Sequence, residues 1–177
     1  MCKVEQLGPD MKNTEITLTL DGTGRDGQPE MTRNKWRRIV KTGFLERIIS
    51  LEHNWCPNII HVFSEIAKNI YDHGGKKGTL KLKITYSKEM SEVEAEGFDY
   101  GPGYQGSSRD VSFDTLRRVH FGKSTKPMTQ GGNAGLGLEM IKGGLDGLKK
   151  VEGVTHASHE VTTQPHFHYR IRILFTK

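Results

Sequence analysis

The chain has 177 residues, of which 34% are hydrophobic and 27% charged, and its formal net charge is +5. This length suits one domain with a real core, and the apolar content lies well above the disordered range. Two cysteines exclude a disulfide framework and fit a reducing compartment. No stretch approaches the ~20 apolar residues of a membrane span, and the first residues lack a signal-peptide pattern. We therefore expect a cytoplasmic protein without membrane association.

The excess of basic over acidic residues fits a phosphate ligand, an acidic partner or a nucleic acid. Lysines and arginines are scattered along the chain, apart from short clusters at 35–38, 76–77 and 149–150. We therefore rank a nucleic-acid binder as an alternative of low weight.

The first part of the chain predicts a strand and a helix. Residues 1–14 indicate a flexible lead-in before a domain that spans 15–177. Apolar residues that alternate with threonines predict a strand over 16–20. After a glycine-rich loop, apolar residues at helical spacing predict a helix over 33–51, which Gly43 interrupts at a cost of about 1 kcal/mol. The apolar side of this helix offers a face for a homodimer.

A second helix is predicted to begin at Pro57, whose missing N–H is not needed in the first turn. Gly74 and Gly75 predict its end in a left-handed cap. Two alternating segments, 80–86 and 93–98, then predict a hairpin. The apolar stripe of the helix consists of Ile59, Val62, Phe63, Ile66 and Ile70.

The last third predicts two helices followed by two strands. The helices span 111–121 and 136–148, the second weakened by three glycines, and a polar loop over 122–133 separates them. The strands lie near 150–155 and 167–175. Helices separated from a run of largely antiparallel strands predict an α+β two-layer sandwich.

The second helix carries the first polar motif. Glu65 and Asn69 are four residues apart and share one face, with Asp72 near the same flank. The amide oxygen of Asn69 is a hard ligand that suits Mg²⁺ held together with water and phosphates. Glu65 lies where it can orient or deprotonate an attacking hydroxyl or water. The plain alternative is the solvated side of an amphipathic helix.

The second motif, 99–103, directly follows a strand. The carboxylate of Asp99 only accepts hydrogen bonds, which suits an adenine amino group. Gly101 and Gly103 permit a close approach of the base to the backbone. The alternative is an ordinary tight turn.

The third motif is a glycine-rich segment, 131–137, that leads into a helix. Its backbone N–H groups and the positive helix end make a phosphate site in physical terms. Upstream, Lys123 and Lys126 add positive charge, and Ser124 and Thr125 add hydroxyl donors. The alternative is a surface loop with a glycine cap.

Together the three motifs resemble the GHKL superfamily of ATP-binding proteins, which includes gyrases, heat-shock chaperones, histidine kinases and MutL. Within it the chain is most similar to stand-alone anti-sigma-factor serine/threonine kinases. Segment 64–74 resembles the N box, 99–103 the first glycine box, 121–127 the start of the lid and 135–138 the second glycine box. The resemblance implies a Bergerat-type fold, with helices over one face of a mixed, largely antiparallel sheet.

The resemblance also implies ATP and Mg²⁺ as cofactors. Asn69 would ligate the metal, Glu65 would be the general base, and Asp99 would bind the adenine amino group. The loop 122–133 would be the ATP lid. The nucleotide would contact Asp72, His73, Asp99, Gly101, Gly103, Ser124, Thr125, Lys126, Gly132, Gly135, Leu136 and Gly137.

The function implied is a serine/threonine kinase that acts on a sigma factor or on a serine-phosphorylated antagonist. The alternative is a nucleotide-gated protein-binding module without significant turnover. One family feature is absent, because 164–169 lacks the Gly-Thr pair whose threonine helps to hold the adenine-binding aspartate. Four histidines near the C-terminus, considered as a metal site, are more often solvent-facing: His156, His159, His166 and His168.

Overall fold

A computed structural model of the protein describes residues 2–7, 13–24, 29–49, 55–87, 89–104, 107–120 and 136–176. These residues contain a six-stranded sheet with the order β1-β2-β3-β4-β6-β5. Its strands are β1 (Cys2–Leu7), β2 (Asn13–Asp21), β3 (Lys77–Tyr86), β4 (Met90–Asp99), β5 (Val154–Thr162) and β6 (His168–Thr176).

Every neighbouring pair of strands in this sheet is antiparallel. The expectation of a mixed sheet is therefore wrong for the described part of the chain. Strands β4 and β5 run in the same direction, but β6 lies between them. No parallel pair can form in that arrangement.

Five helices accompany the sheet in the described residues: α1 (Arg33–Val40), α2 (Glu46–Ile49), α3 (Cys56–Asp72), α4 (Phe113–His120) and α5 (Gly137–Leu148). A π-helical turn, Lys41–Leu45, joins α1 to α2 and contains Gly43, so the predicted interruption is confirmed. Pro57 lies in the first turn of α3, and Gly75 follows its end with a φ of 67°. Within the described residues, none of the helices is long and apolar enough to cross a bilayer.

The two faces of the sheet differ in polarity. Burial alternates along β3 and along most of β4, so that successive side chains point toward the helices and away from them. On the helix side, α3 contacts both strands and its apolar stripe is buried as predicted. The α+β two-layer sandwich is therefore confirmed. The buried strand residues are Ile16, Leu18, Leu20, Leu80, Leu82, Ile84, Val93, Ala95, Tyr169, Ile171 and Ile173.

The apolar side of the first helical segment packs inside its own chain. Trp36, Val40, Phe44 and Ile48 are almost fully buried. The indole N–H of Trp36 donates to the carbonyl of Ala67 in α3 at 3.0 Å. These side chains are therefore not available to form a dimer interface. The homodimer stays a prediction, and it would have to use other residues.

Two edge elements differ from the sequence prediction. Residues 2–7, expected in a loose lead-in, form β1, whose backbone pairs with the edge of β2. The strand predicted near 150–155 begins at Val154, after a turn in which Gly153 has a φ of 81°. Edge strands have one paired side and weak apolar alternation, so periodicity gives little signal there.

Helices α3 and α5 approach each other closely because α5 contains glycines. A Cβ at Gly144 would lie 2.6 Å from Cγ2 of Val62, and one at Gly147 would collide with the side chain of Asn58. Two of the glycines that weaken α5 as a helix, Gly144 and Gly147, therefore allow its second half to pack closely on α3. This packing positions the site.

Candidate functional site

Asp99 is the last residue of β4, and its side chain is 4% exposed. Its Oδ1 accepts hydrogen bonds from the backbone N–H of Gly101 at 3.0 Å and of Phe167 at 3.3 Å. Burial raises the pKa of this carboxyl, against the opposing effect of those two bonds. The result is an oriented buried acid at the end of a central strand.

Two glycines bring the loops around Asp99 into backbone contact. A Cβ at Gly101 would lie 2.6 Å from the Cα of Gly74, and one at Gly74 would lie 2.9 Å from Oδ2 of Asp99. Gly103 has a φ of 69° and lies against the carbonyl of Thr163. Close packing of the chain on itself therefore requires glycine at 74, 101 and 103, and the predicted approach of a base to Gly101 and Gly103 stays a prediction.

Glu65, Asn69 and Gly137 meet at one point between α3 and α5. Glu65 is 5% exposed although it is charged, while Asn69 is half-buried. A Cβ at Gly137 would lie 3.1 Å from Oε2 of Glu65 and 3.8 Å from Oδ1 of Asn69. The first turn of α5, which carries the predicted phosphate site, thus lies beside the predicted base and metal ligand.

Tyr169 connects this cluster to Asp99. It lies on β6 beside Gly97, on the helix side of the sheet. Burial raises the pKa of Tyr169, and the nearby negative charge of Asp99 adds to this effect, while the side chain of Asn69 lowers it. Gly74 links Asn69 to Asp99, because its N–H donates to the carbonyl of Asn69 at 3.2 Å and a Cβ at this residue would lie 2.9 Å from Oδ2 of Asp99.

The segment before β6 holds the loop that follows Asp99. Asp110 Oδ1 accepts from the backbone N–H of Thr163 at 2.8 Å and of Gln164 at 2.9 Å. The Thr163 hydroxyl in turn accepts from the backbone of Val111 at 2.9 Å. Thr163, which directly precedes 164–169, thus binds Asp110, and the N–H of Phe167 donates to Asp99.

Asp72 and His73 lie at the end of α3. Asp72 forms an ion pair with Arg33 of α1 at 3.3 Å, which directs it toward the first helix. His73 is exposed, and the protein around it lowers its pKa by displacing water, an effect that the charge of Asp99 partly offsets. The structure thus brings His73 near Asp99 and gives Asp72 a partner on α1.

Leu136 precedes α5 as its N-cap residue and is 43% exposed. The remaining predicted positions lie outside the described residues, as does the predicted lid over 122–133: Ser124, Thr125, Lys126, Gly132 and Gly135. Their predicted roles stay predictions.

Sequence reasoning missed two residues at this site, Lys68 and Tyr169. Lys68 Nζ lies 2.8 Å from Oε1 and 2.7 Å from Oε2 of Glu65. The three-residue spacing of Glu65 and Lys68 on a helix was a usable signal for this pair. No local pattern indicates Tyr169, since its place depends on the register between β6 and β4.

Histidines do not form a metal centre in the part of the chain that the structure describes. No group of three or more His, Cys, Asp or Glu side chains there is close enough to hold a metal ion. His166 instead donates from Nδ1 to the carbonyl of Gly101, and His168 lies 3.8 Å from Glu96.

No protein-family model matches the chain, and no curated protein matches it either. The function of the site is therefore inferred from its own geometry.

Proposed function

We propose that this protein binds Mg-ATP in a Bergerat-type site of the GHKL superfamily and acts as a serine/threonine protein kinase. One observation carries the proposal. A Cβ at Gly137, in the first turn of α5, would lie 3.1 Å from Oε2 of Glu65 and 3.8 Å from Oδ1 of Asn69, while Gly74 contacts both the carbonyl of Asn69 and the carboxylate of Asp99. A metal ligand, a base, an adenine acceptor and a phosphate-binding helix end are then all within reach of one nucleotide.

The chemistry of these groups fits the proposed ligand. Asp99 offers only acceptors, and its fixed Oδ1 leaves the carboxylate oriented for an amino donor. The amide oxygen of Asn69 suits Mg²⁺, which usually takes few protein ligands alongside phosphate and water. When bound, the ion supplies charge neutralisation to the phosphate oxygens.

Glu65 has the position of a general base. Its carboxylate would orient the hydroxyl of a substrate serine or threonine and accept its proton as the hydroxyl oxygen attacks the terminal phosphorus and ADP leaves. Phosphoryl transfer needs mainly positioning and charge stabilisation, so one carboxylate and one metal suffice. The resemblance to anti-sigma-factor kinases supports a sigma factor, or its serine-phosphorylated antagonist, as the partner.

Asp99→Asn tests the nucleotide site. The asparagine Oδ1 can still accept from Gly101 and Phe167, so the fold is retained, whereas its NH₂ faces the adenine amino group with a donor. We expect the variant to lose at least about 1.5–3 kcal/mol of ATP binding free energy, typical of a hydrogen bond to a charged group. Isothermal calorimetry with Mg-ATP measures this, and equal affinities would contradict the adenine role of Asp99.

The pairing of Glu65 with Lys68 favours a second candidate, a nucleotide-gated binding module. With both carboxylate oxygens engaged by an ammonium, Glu65 would hold the site together and ATP would only reorder a protein-binding face. Glu65→Gln separates the two candidates. A kinase loses phosphate transfer from labelled ATP to its partner while ATP binding persists, whereas a module shows no such transfer before the substitution and loses ATP-dependent partner binding after it.

A further inference from the structure

Lys68 has an unusual place for a lysine on a helix. Its ammonium contacts both oxygens of Glu65, whose side chain is 6% exposed, while 27% of the Lys68 side chain is exposed. Solvated helix pairs contribute little to stability. Here one member of the pair is buried at the centre of the site and the other reaches it from the surface.

The ammonium contacts Oε2 of Glu65, the same carboxylate oxygen that faces the start of α5. The carboxylate that it contacts lies beside the start of α5, at the point shared by Gly137 and Asn69. Any phosphate at this helix end is therefore close to Glu65, and two negative groups repel strongly in a site that excludes water. A positive group between them removes that repulsion.

Lys68 can contact the carboxylate and a phosphate together. A lysine ammonium has three N–H donors. Two serve the two oxygens of Glu65, and the third is suited to a phosphate oxygen. Since the side chain is flexible and its head is partly exposed, a small rotation suffices to turn the third donor toward the ligand.

We propose that Lys68 is a phosphate-binding residue whose ammonium bridges Glu65 and the terminal phosphate of ATP. This role rests on the proposed nucleotide site. It explains how that site would distinguish ATP from ADP. The bridge exists only with a triphosphate, so Lys68 makes the site prefer ATP over ADP.

Calorimetric titration of the full chain with Mg-ATP and Mg-ADP tests this role. We expect Lys68→Met to weaken ATP binding about tenfold or more while ADP affinity stays within about twofold. Lys68→Arg keeps the charge and restores most of the preference. Lys81→Met is the matched control, because Lys81 pairs with Glu15 on the opposite face of the sheet and should leave both affinities unchanged.

In Lys68→Met, the buried Glu65 carboxylate loses its partner and could weaken ATP binding by repulsion alone. A double variant, Lys68→Met with Glu65→Gln, removes this unpaired charge. It too should bind ATP and ADP with similar affinity. Equal losses for both nucleotides, or an unchanged preference, would overturn the inference and leave Lys68 as a structural partner of Glu65. If the wild type binds neither nucleotide, the proposed function itself fails.

Discussion

At the scale of single residues, we expect the ionisation of Asp99 to make the stability of the protein depend on pH. Burial raises the pKa of its carboxyl above the 3.8 of an unperturbed aspartate. The folded state then binds this proton more tightly than the unfolded state. The free energy of unfolding therefore falls as the pH rises from 3.8 through the folded-state pKa.

Asp99→Asn should remove this pH dependence. We expect the stability of the variant relative to the wild type to rise across that window and to level off near neutral pH, where the wild type carries the full cost of a buried charge. Urea unfolding of both proteins from about pH 3.5 to about pH 7 measures the difference. A difference that stays constant over this range would show that Asp99 ionises as freely as in water.

The site residues differ in whether a short sequence motif indicates them. Glu65, Asn69 and Asp99 are predictable because short motifs contain them, and the structure brings them near one another. Tyr169 is not, because it reaches Asn69 from a strand one hundred residues later in the chain. Only the register of β6 against β4 decides that Tyr169 points toward the helices.

At the scale of elements, the glycines of α5 offer a matched pair of substitutions. Gly143 has open space around it, whereas a Cβ at Gly144 would lie 2.6 Å from Val62 and 3.0 Å from the carbonyl of Asn58. We expect Gly143→Ala to stabilise the protein by about 1 kcal/mol through helix propensity. Gly144→Ala gains the same propensity but loses more by overpacking, which typically costs about 1–3 kcal/mol and sometimes more.

Thermal or urea unfolding of the two alanine variants checks this prediction. The midpoint should rise for Gly143→Ala and fall for Gly144→Ala. A higher midpoint for Gly144→Ala as well would mean that the contact between α3 and α5 can open without loss, and the close packing of these two helices would then lose its support.

The elements differ in how well sequence predicts them. Helix α3 can be predicted from local sequence signals. Its apolar stripe is long, a proline marks its start and two glycines mark its end. Strand β5 is exposed at most positions, so its pattern is too weak to fix where it begins. The π-helical turn at 41–45 changes helical register within one apolar run, which a single-helix pattern cannot represent.

At the scale of the whole molecule, acidic side chains offset positive charge on the open face of the sheet. Where the structure describes the side chains of this face, four basic residues are paired with carboxylates of neighbouring strands. The pairs are Lys81 with Glu15, Lys83 with Glu94, Arg170 with Glu96 and Arg172 with Glu92. This balance gives no support to a nucleic-acid surface on that face.

The backbone contact between Gly74 and Gly101 has a consequence for ligand entry. With no side chain between them, the end of α3 and the turn after β4 are seated directly on each other. This contact fixes the distance between Asn69 and Asp99 in the ligand-free protein. For the proposed purine ligand, both ends of the site would already be correctly spaced, so that most of the ordering on this side of the site would occur during folding rather than on binding.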